Sequence, residues 1–227
     1  ALNPTFCSLN RNKRSLTLNL KKPEAKEIFL KLADDADVII ENLRAGASDG
    51  LGIGYETVRA RNRNIVYCSI SGFGSEGPYT DLPAYDTIGQ AMGGLLSLLT
   101  DVEDPKPMGI SLADHLTGIF ACYGVLAALN GRHVTGEGQH VETSLLQSIV
   151  SFVQENAAGY FDSGRVPSRG SRPRGPQVHC FVASDGTPFV IHLSSPDKFW
   201  VGLTVAIGQP ELQQDERFTD RGLRTQN

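Results

Sequence analysis

Two short apolar runs limit the fold more than any other feature of the chain. Val38-Ile39-Ile40 is wholly apolar, and Ile65-Val66-Tyr67-Cys68-Ser69-Ile70 nearly so. Brief runs of this kind read as strands buried on both faces, the mark of a parallel sheet covered by helices on each side. The sequence around them agrees. Pro23 suits the first position of a helix, and Ala25, Ile28, Phe29, Leu32 and Ala36 supply its apolar face. Residues 55–61 read as a short helix. Residues 15–20 alternate polar and apolar side chains, a strand signal, and residues 140–143 form another short strand. The fold class is therefore α/β: an open parallel sheet with flanking helices.

The segment after each apolar run bears on function. Glu41-Asn42-Leu43-Arg44 stands at the carboxyl end of the first, where open α/β sheets bind ligands. Ser71-Gly72-Phe73-Gly74-Ser75-Glu76-Gly77-Pro78 comes after the second and matches G-x-G-x-x-G. The dinucleotide fingerprint must open a helix, however, and Pro78, Asp81 and Pro83 continue a loop. An oxidoreductase would rest on that match alone. The stretch reads instead as a glycine loop, either a plain surface loop or one that lets a substrate approach the backbone closely.

Residues 85–99 read as a helix weakened by Gly89, Gly93 and Gly94, small residues that allow close packing. In residues 109–130 Leu116, Ile119, Phe120, Tyr123, Leu126 and Ala127 recur at helical spacing, and Gly131 closes the helix. Asp114 falls at or just before its first turn, where the helix dipole and free N–H groups favour an ionised carboxylate. Such an acid is either a cap or a pre-oriented nucleophile. A second long helix occupies residues 144–161. In residues 164–177 Arg165, Arg169, Arg172 and Arg174 are interleaved with Gly, Pro and Ser, which reads as a linker or mobile loop with solvated arginines, an anionic ligand or a partner chain being the other reading. Residues 180–193 read as a hairpin turning on Asp185-Gly186, and a helix over 196–207 is stopped by Gly208-Gln209-Pro210. The domains are 1–174, a large-domain portion with its linker, and 175–227, the start of a smaller α/β domain.

The net charge of −4 and the lack of a Lys/Arg block argue against nucleic acid as a partner. No apolar run approaches the ~18 residues of a membrane span. Cys7, Cys68, Cys122 and Cys180 form no C-x-x-C pair and no metal-ligand spacing with His, so no metal site is expected. Buried, reduced thiols and a cytoplasmic location are expected instead. The chain begins at Ala1 and ends on Arg224-Thr225-Gln226-Asn227, and both ends read as cut.

An ordered set of stretches resembles the class III coenzyme A transferases, the family of formyl-CoA transferase and acyl-CoA racemases. They are Leu9-Asn10-Arg11-Asn12-Lys13-Arg14-Ser15, Ala36-Asp37-Val38-Ile39-Ile40-Glu41-Asn42, Leu51-Gly52-Ile53-Gly54-Tyr55, Ser69-Ile70-Ser71-Gly72-Phe73-Gly74 with Gly77-Pro78-Tyr79, Tyr85-Asp86, Ala113-Asp114 and Thr135-Gly136-Glu137-Gly138-Gln139. The resemblance implies a Rossmann-like large domain, here incomplete, a smaller α/β domain and an interlocked homodimer. It implies that Asp114 is the nucleophile, passing through an aspartyl-CoA thioester while CoA moves from an acyl-CoA to a carboxylic acid. Coenzyme A is then a substrate and no cofactor is permanently bound. By the same resemblance Leu18, Asn19, Leu20 and Lys21 line the adenine and phosphate end, with Lys21 as its cation. Asn42, Leu43 and Arg44 also touch the nucleotide, and Leu82, Pro83, Ala84 and Tyr85 line a further CoA stretch.

Related racemases pair the central Asp with a His at the position that is Tyr85 here. Racemisation needs a second base, and a phenol is a poor one at neutral pH. Transfer is therefore favoured over racemisation. A third reading is a non-catalytic CoA-binding fragment. Full-length relatives carry an additional βα segment at the start and a long C-terminal segment, both absent from this sequence. Only Gly170, Gly175 and Arg-rich sequence stand where some transferases carry a glycine tetrad that covers the Asp.

Overall fold

The computed structural model describes residues 3–171, 177–194 and 196–227, with the backbone alone at Thr225. The elements run α1 (Pro4–Leu9), α2 (Pro23–Asp34), β1 (Val38–Glu41), α3 (Ala47–Leu51), α4 (Tyr55–Arg59), β2 (Val66–Ser71), α5 (Asp86–Met92), α6 (Leu95–Leu99), α7 (Leu112–Thr135) and β3 (His140–Ser144). Then come α8 (Leu145–Phe152), α9 (Gln154–Ser163), β4 (Gln177–Val182), β5 (Pro188–Leu193), α10 (Lys198–Ala206), two 3₁₀ turns (Pro210–Gln214 and Glu216–Phe218) and α11 (Arg221–Gln226). By their contacts the residues divide into two units, Ala1–Ala157 and Ala158–Asn227. The boundary read from sequence falls at Arg174 and Gly175, which, like Arg172, lie outside the described residues.

In the first unit β1, β2 and β3 form a parallel sheet with β2 central, in register Ile40↔Cys68 and Cys68↔Val141. One face carries Tyr67, packed with Ile65, Val58, Leu30 and Ala33 beneath α2 and α4. The Tyr67 hydroxyl donates to the Ile53 carbonyl at 3.1 Å, so its polar tip is satisfied in the core. The other face presents Val66 and Cys68 to Ala121, Val125 and Ala128 of α7. A third cluster joins Leu95, Ala113, Leu145, Ile149 and Val153, and so ties α6 and α7 to α8. Burying a side chain such as Ile65 is worth roughly 1.5–3 kcal/mol. An exposed ion pair such as Arg63–Glu137 is worth about 1 kcal/mol or less. Apolar layers, not ion pairs, hold β2 in place.

The parallel sheet with flanking helices is the expected architecture, but several elements differ in detail. Residues 15–20 form no strand; alternation makes a strand only where a ladder partner exists, and the sheet begins at β1. β1 is an edge with one partner, so Ile40 is 57% exposed rather than buried on both sides. The predicted helix over 85–99 breaks into α5 and α6 at Gly93-Gly94, where Gly94 takes φ +81°. The predicted helix over 144–161 breaks at Val153. α7 runs past Gly131 to Thr135, and Gly136, at φ +73°, ends it.

The buried face of α7 is also not the predicted one. The stripe Ala113, Thr117, Ala121, Val125 and Ala128 is buried, while Ile119, Tyr123 and Leu126 are exposed. Small residues let the helix lie close to the sheet; at Gly124 an added Cβ would stand 2.7 Å from Val141 Cγ1. By length and composition α7 is, among the described residues, a helix long and apolar enough to cross a membrane, contrary to the sequence expectation. Its buried stripe nonetheless packs on β2 and β3, as a core helix does. Of the four cysteines, all free, only Cys68 is buried; Cys7, Cys122 and Cys180 are exposed.

The second unit contains the expected hairpin. β4 and β5 pair antiparallel from Gln177↔Leu193 to Val182↔Pro188. Asp185 Oδ1 accepts from the Thr187 amide at 2.9 Å and Gly186 takes φ +84°, closing the tight turn. α10 forms as predicted and Gly208 comes after it at φ +72°. Trp200 on α10 packs on Phe218 with ring centroids 5.5 Å apart. Arg224 lies over the Trp200 ring and pairs with Asp197 at 2.9 Å.

Candidate active site

A cavity of about 510 Å³ opens at the carboxyl ends of β1 and β2. It brings together eight of the residues singled out from sequence: Asn42, Leu43 and Arg44 after β1, Leu82, Pro83, Ala84 and Tyr85 before α5, and Asp114 on α7. Arg44 and Asp114 are its charged lining residues. Local chemistry shapes each wall. Glu41 folds back so that its Oε2 accepts from the Leu43 amide at 2.7 Å, which fixes the turn presenting Asn42 to Arg44. Ser71 Oγ accepts from the Gly74 amide at 2.9 Å and starts the glycine loop, with Gly74 and Gly77 at φ +98° and +105°. No helix opens there, so the loop is not a dinucleotide fingerprint. Gly72 is packed under Ala84: an added Cβ would come within 2.5 Å of the Ala84 Cβ.

Leu18, Asn19, Leu20 and Lys21 do not line this cavity. They form the irregular lead into α2, where Asn19 Oδ1 accepts from the Lys21 amide at 3.2 Å. Thr117 and Gly118, which do line it, were not singled out from sequence. They stand three and four positions after Asp114, and that spacing alone places them on its face of the helix.

Asp114 sits in the first turn of α7, but it is not the cap. Ser111 at the N-cap makes no side-chain cap bond. The cap comes from α5: Asp86 Oδ1 accepts from the amides of Ala113 at 2.8 Å and Asp114 at 3.2 Å. The His115 amide is engaged by the Ser111 carbonyl. The amides that would have favoured an ionised Asp114, or served an oxyanion beside it, are therefore already engaged. Burial raises the Asp114 pKa above the ordinary carboxyl value, the negative charge of Asp86 raises it further, and His115 offsets part of this. The sequence expectation had the opposite sign. Cys68, in the sheet, is a poor nucleophile: burial pushes its thiol up to about 11.

A second cavity, about 250 Å³, shares Leu43, Ala45, Ile70 and Ser71 with the first. Glu41, Asp49, Glu56 and Glu142 line it and, among the described residues, no Lys or Arg does. His140 hydrogen-bonds Ser69 Oγ at 3.0 Å there and stacks on Tyr55 with centroids 4.6 Å apart.

The sequence matches the family model described as CoA-transferase family III over residues 1–227. The chain belongs to CoA-transferase family III. Among curated members of family III, it is 39% identical to the acetyl-CoA:oxalate CoA-transferase of Acetobacter aceti, over 98% of this chain and 58% of that protein. It is 36% identical to the succinyl-CoA:mesaconate CoA-transferase of Haloarcula marismortui, over 98% of this chain and 57% of that one. A crystal structure of a CAIB/BAIF family protein from Brucella suis superposes with a TM-score of 0.79 at 35% identity, covering 95% of this chain and 57% of the other. Rv3272 from Mycobacterium tuberculosis gives 0.83 at 30% identity, covering 96% and 59%. The chain thus spans less than three-fifths of the length of each of these family III proteins.

Proposed function

We propose that the protein to which this chain belongs is an acyl-CoA:carboxylate CoA-transferase whose nucleophile is Asp114. The observation that carries this is that Asp114 and Arg44 are, among the described residues, the charged groups lining one cavity at the sheet's carboxyl edge. Arg44 suits a phosphate of coenzyme A, since a guanidinium binds such oxyanions through paired hydrogen bonds. An Asp114 oxygen attacks the thioester carbonyl, and the tetrahedral adduct expels CoA thiolate and leaves a mixed anhydride. The thiolate attacks the aspartyl carbonyl and expels the donor as its carboxylate, which leaves an aspartyl-CoA thioester. The acceptor carboxylate attacks that carbonyl and expels the thiolate; the thiolate then takes the acceptor acyl group and frees Asp114. Electrons and protons balance without a further reactant. A covalent route divides one hard step into easier ones.

The Acetobacter and Haloarcula relatives act, by name, on oxalate and mesaconate, so a small carboxylic acid is the acceptor class proposed. Racemisation is not favoured, because the residue where a second base would have to stand is Tyr85, at the N-cap position of α5, and a phenol is a poor base. A homodimer is part of the proposal, supported by the exposed apolar residues Ile119, Tyr123 and Leu126 on α7. Incubation with succinyl-CoA and then intact-mass and peptide mapping tests the reading. A hydroxylamine-sensitive CoA adduct on Asp114 is expected. CoA binding without an adduct would leave the non-catalytic module, and α-deuteration from solvent without CoA exchange would leave the racemase.

A further inference from the structure

Asp86 has a role that capping alone does not describe. It lies on α5, a different helix from the one it caps, and its two oxygens are divided. Oδ1 takes the amides of Ala113 and Asp114, while Oδ2 accepts from Gln90 Nε2 at 2.6 Å. Gln90 is 1% exposed, and its Nε2 also reaches the Ile110 carbonyl at 3.3 Å in the segment leading into α7. Its Oε1 has no hydrogen-bond partner among the described residues. A buried amide oxygen left unpaired is costly, and here the amide is committed to bracing Asp86. The approach of α5 is made possible at Gly89, where an added Cβ would lie 2.9 Å from Leu145 Cβ and 3.2 Å from Ala113 Cβ. Three features thus converge on one point, the backbone of Asp114.

We propose that Asp86, braced by Gln90, is a positioning residue for the transfer reaction: it pins the two amides at the start of α7 and fixes Asp114 at the cavity wall with those amides withdrawn from its carboxylate. The inference rests on the transferase reading of Asp114. A carboxylate in a first helical turn ordinarily draws on free amides nearby. With those amides given to Asp86, the Asp114 carboxylate loses that stabilisation and faces a like charge. The charged groups that act on it are Asp86 from α5 and His115 on α7 itself; Arg44 lines the same cavity. A more basic carboxylate is a better nucleophile toward a thioester. The two acids are divided by environment into an orienting group and a reacting one.

The test is D86N in the full-length protein. Asn keeps an oxygen for the α7 amides, and Gln90 can turn its amide to offer Oε1 to the new NH₂, so the geometry is conserved while the charge is lost. The expected result is a fall in kcat of about tenfold with the KM for acyl-CoA within about twofold. The acidic limb of the pH profile should move to lower pH, since removing a like charge eases ionisation of Asp114. A ¹³C NMR titration of the Asp114 carboxyl should move the same way, and it reads the like charge of Asp86 at Asp114 whether or not transfer occurs. Q90L, which keeps the charge and removes the brace, should lower kcat with KM preserved; it serves if D86N does not fold. If the wild type transfers no CoA, the transferase reading fails; an Asp114 titration unmoved by D86N shows in addition that Asp86 does not set the charge around Asp114, and the inference is overturned. If the wild type is active and D86N lowers only the melting temperature, Asp86 is a structural cap and the inference is overturned.

Discussion

The two cavities at the carboxyl ends of β1–β3 share four lining residues and differ in charge. The larger is lined by Arg44 and Asp114; the smaller is walled by Glu41, Asp49, Glu56 and Glu142 and, among the described residues, by no Lys or Arg. Topology therefore does not choose the site, because an open α/β sheet offers room along its whole carboxyl edge. Electrostatics chooses. Coenzyme A carries phosphates and the proposed acceptor is a carboxylate, so a cavity lined by four acids would repel both. In the proposed reaction the larger cavity would supply one cation for binding and one carboxylate for attack.

The strongest way to break this contrast is D114N. Loss of a covalent nucleophile should lower transfer by at least about 10³-fold and abolish the hydroxylamine-sensitive adduct, with acyl-CoA binding retained. Activity that survives would move the chemistry out of the larger cavity. R44A comes next. A charge-assisted hydrogen bond is worth about 1.5–3 kcal/mol, and for an exposed guanidinium the lower end applies, so KM for acyl-CoA should rise about tenfold with little change in kcat. An unchanged KM would shift the phosphate contact toward Lys21, and K21A would then carry the effect. E142Q sharpens the contrast from the other side. Neutralising an acid away from the substrate is worth at most about 0.5 kcal/mol, so KM and kcat should stay within about twofold. A loss above tenfold would show that the smaller cavity takes part.

Much of this arrangement was legible in the chain, and the misses share a cause. The β2 run, the Asp185-Gly186 turn and the helix start before Asp114 come from local rules: apolar runs, turn chemistry and spacing. The buried face of α7 did not. Counting large apolar residues selects Ile119, Tyr123 and Leu126, whereas close packing on a sheet selects Ala121, Val125 and Ala128. Size and burial part company wherever a helix must approach closely. The cap was missed for a related reason. Asp86 and Ala113 are far apart in sequence and meet only because Gly89 lets α5 close on α7. Likewise, alternation in residues 15–20 carries no information about whether a neighbouring strand exists to pair with it.

The smallest expected effect tests the sign of the field at Asp114. Its carboxyl pKa is raised, by burial first and by Asp86 second. The folded protein therefore holds that proton more tightly than the unfolded chain does. As pH rises from the ordinary carboxyl value of 3.8 through the folded value, the unfolded chain releases its proton first and stability falls; above the folded value the loss is complete and constant. D114N removes that cost. It should melt above the wild type at pH 7, by about 1 °C because solvent screens an exposed group, and the difference should close as the pH falls below the ordinary carboxyl value. A variant that melts below the wild type at pH 7 and level with it at low pH would mean the opposite. The helix start would then stabilise ionised Asp114, as position alone suggested, and Asp86 would not have displaced it.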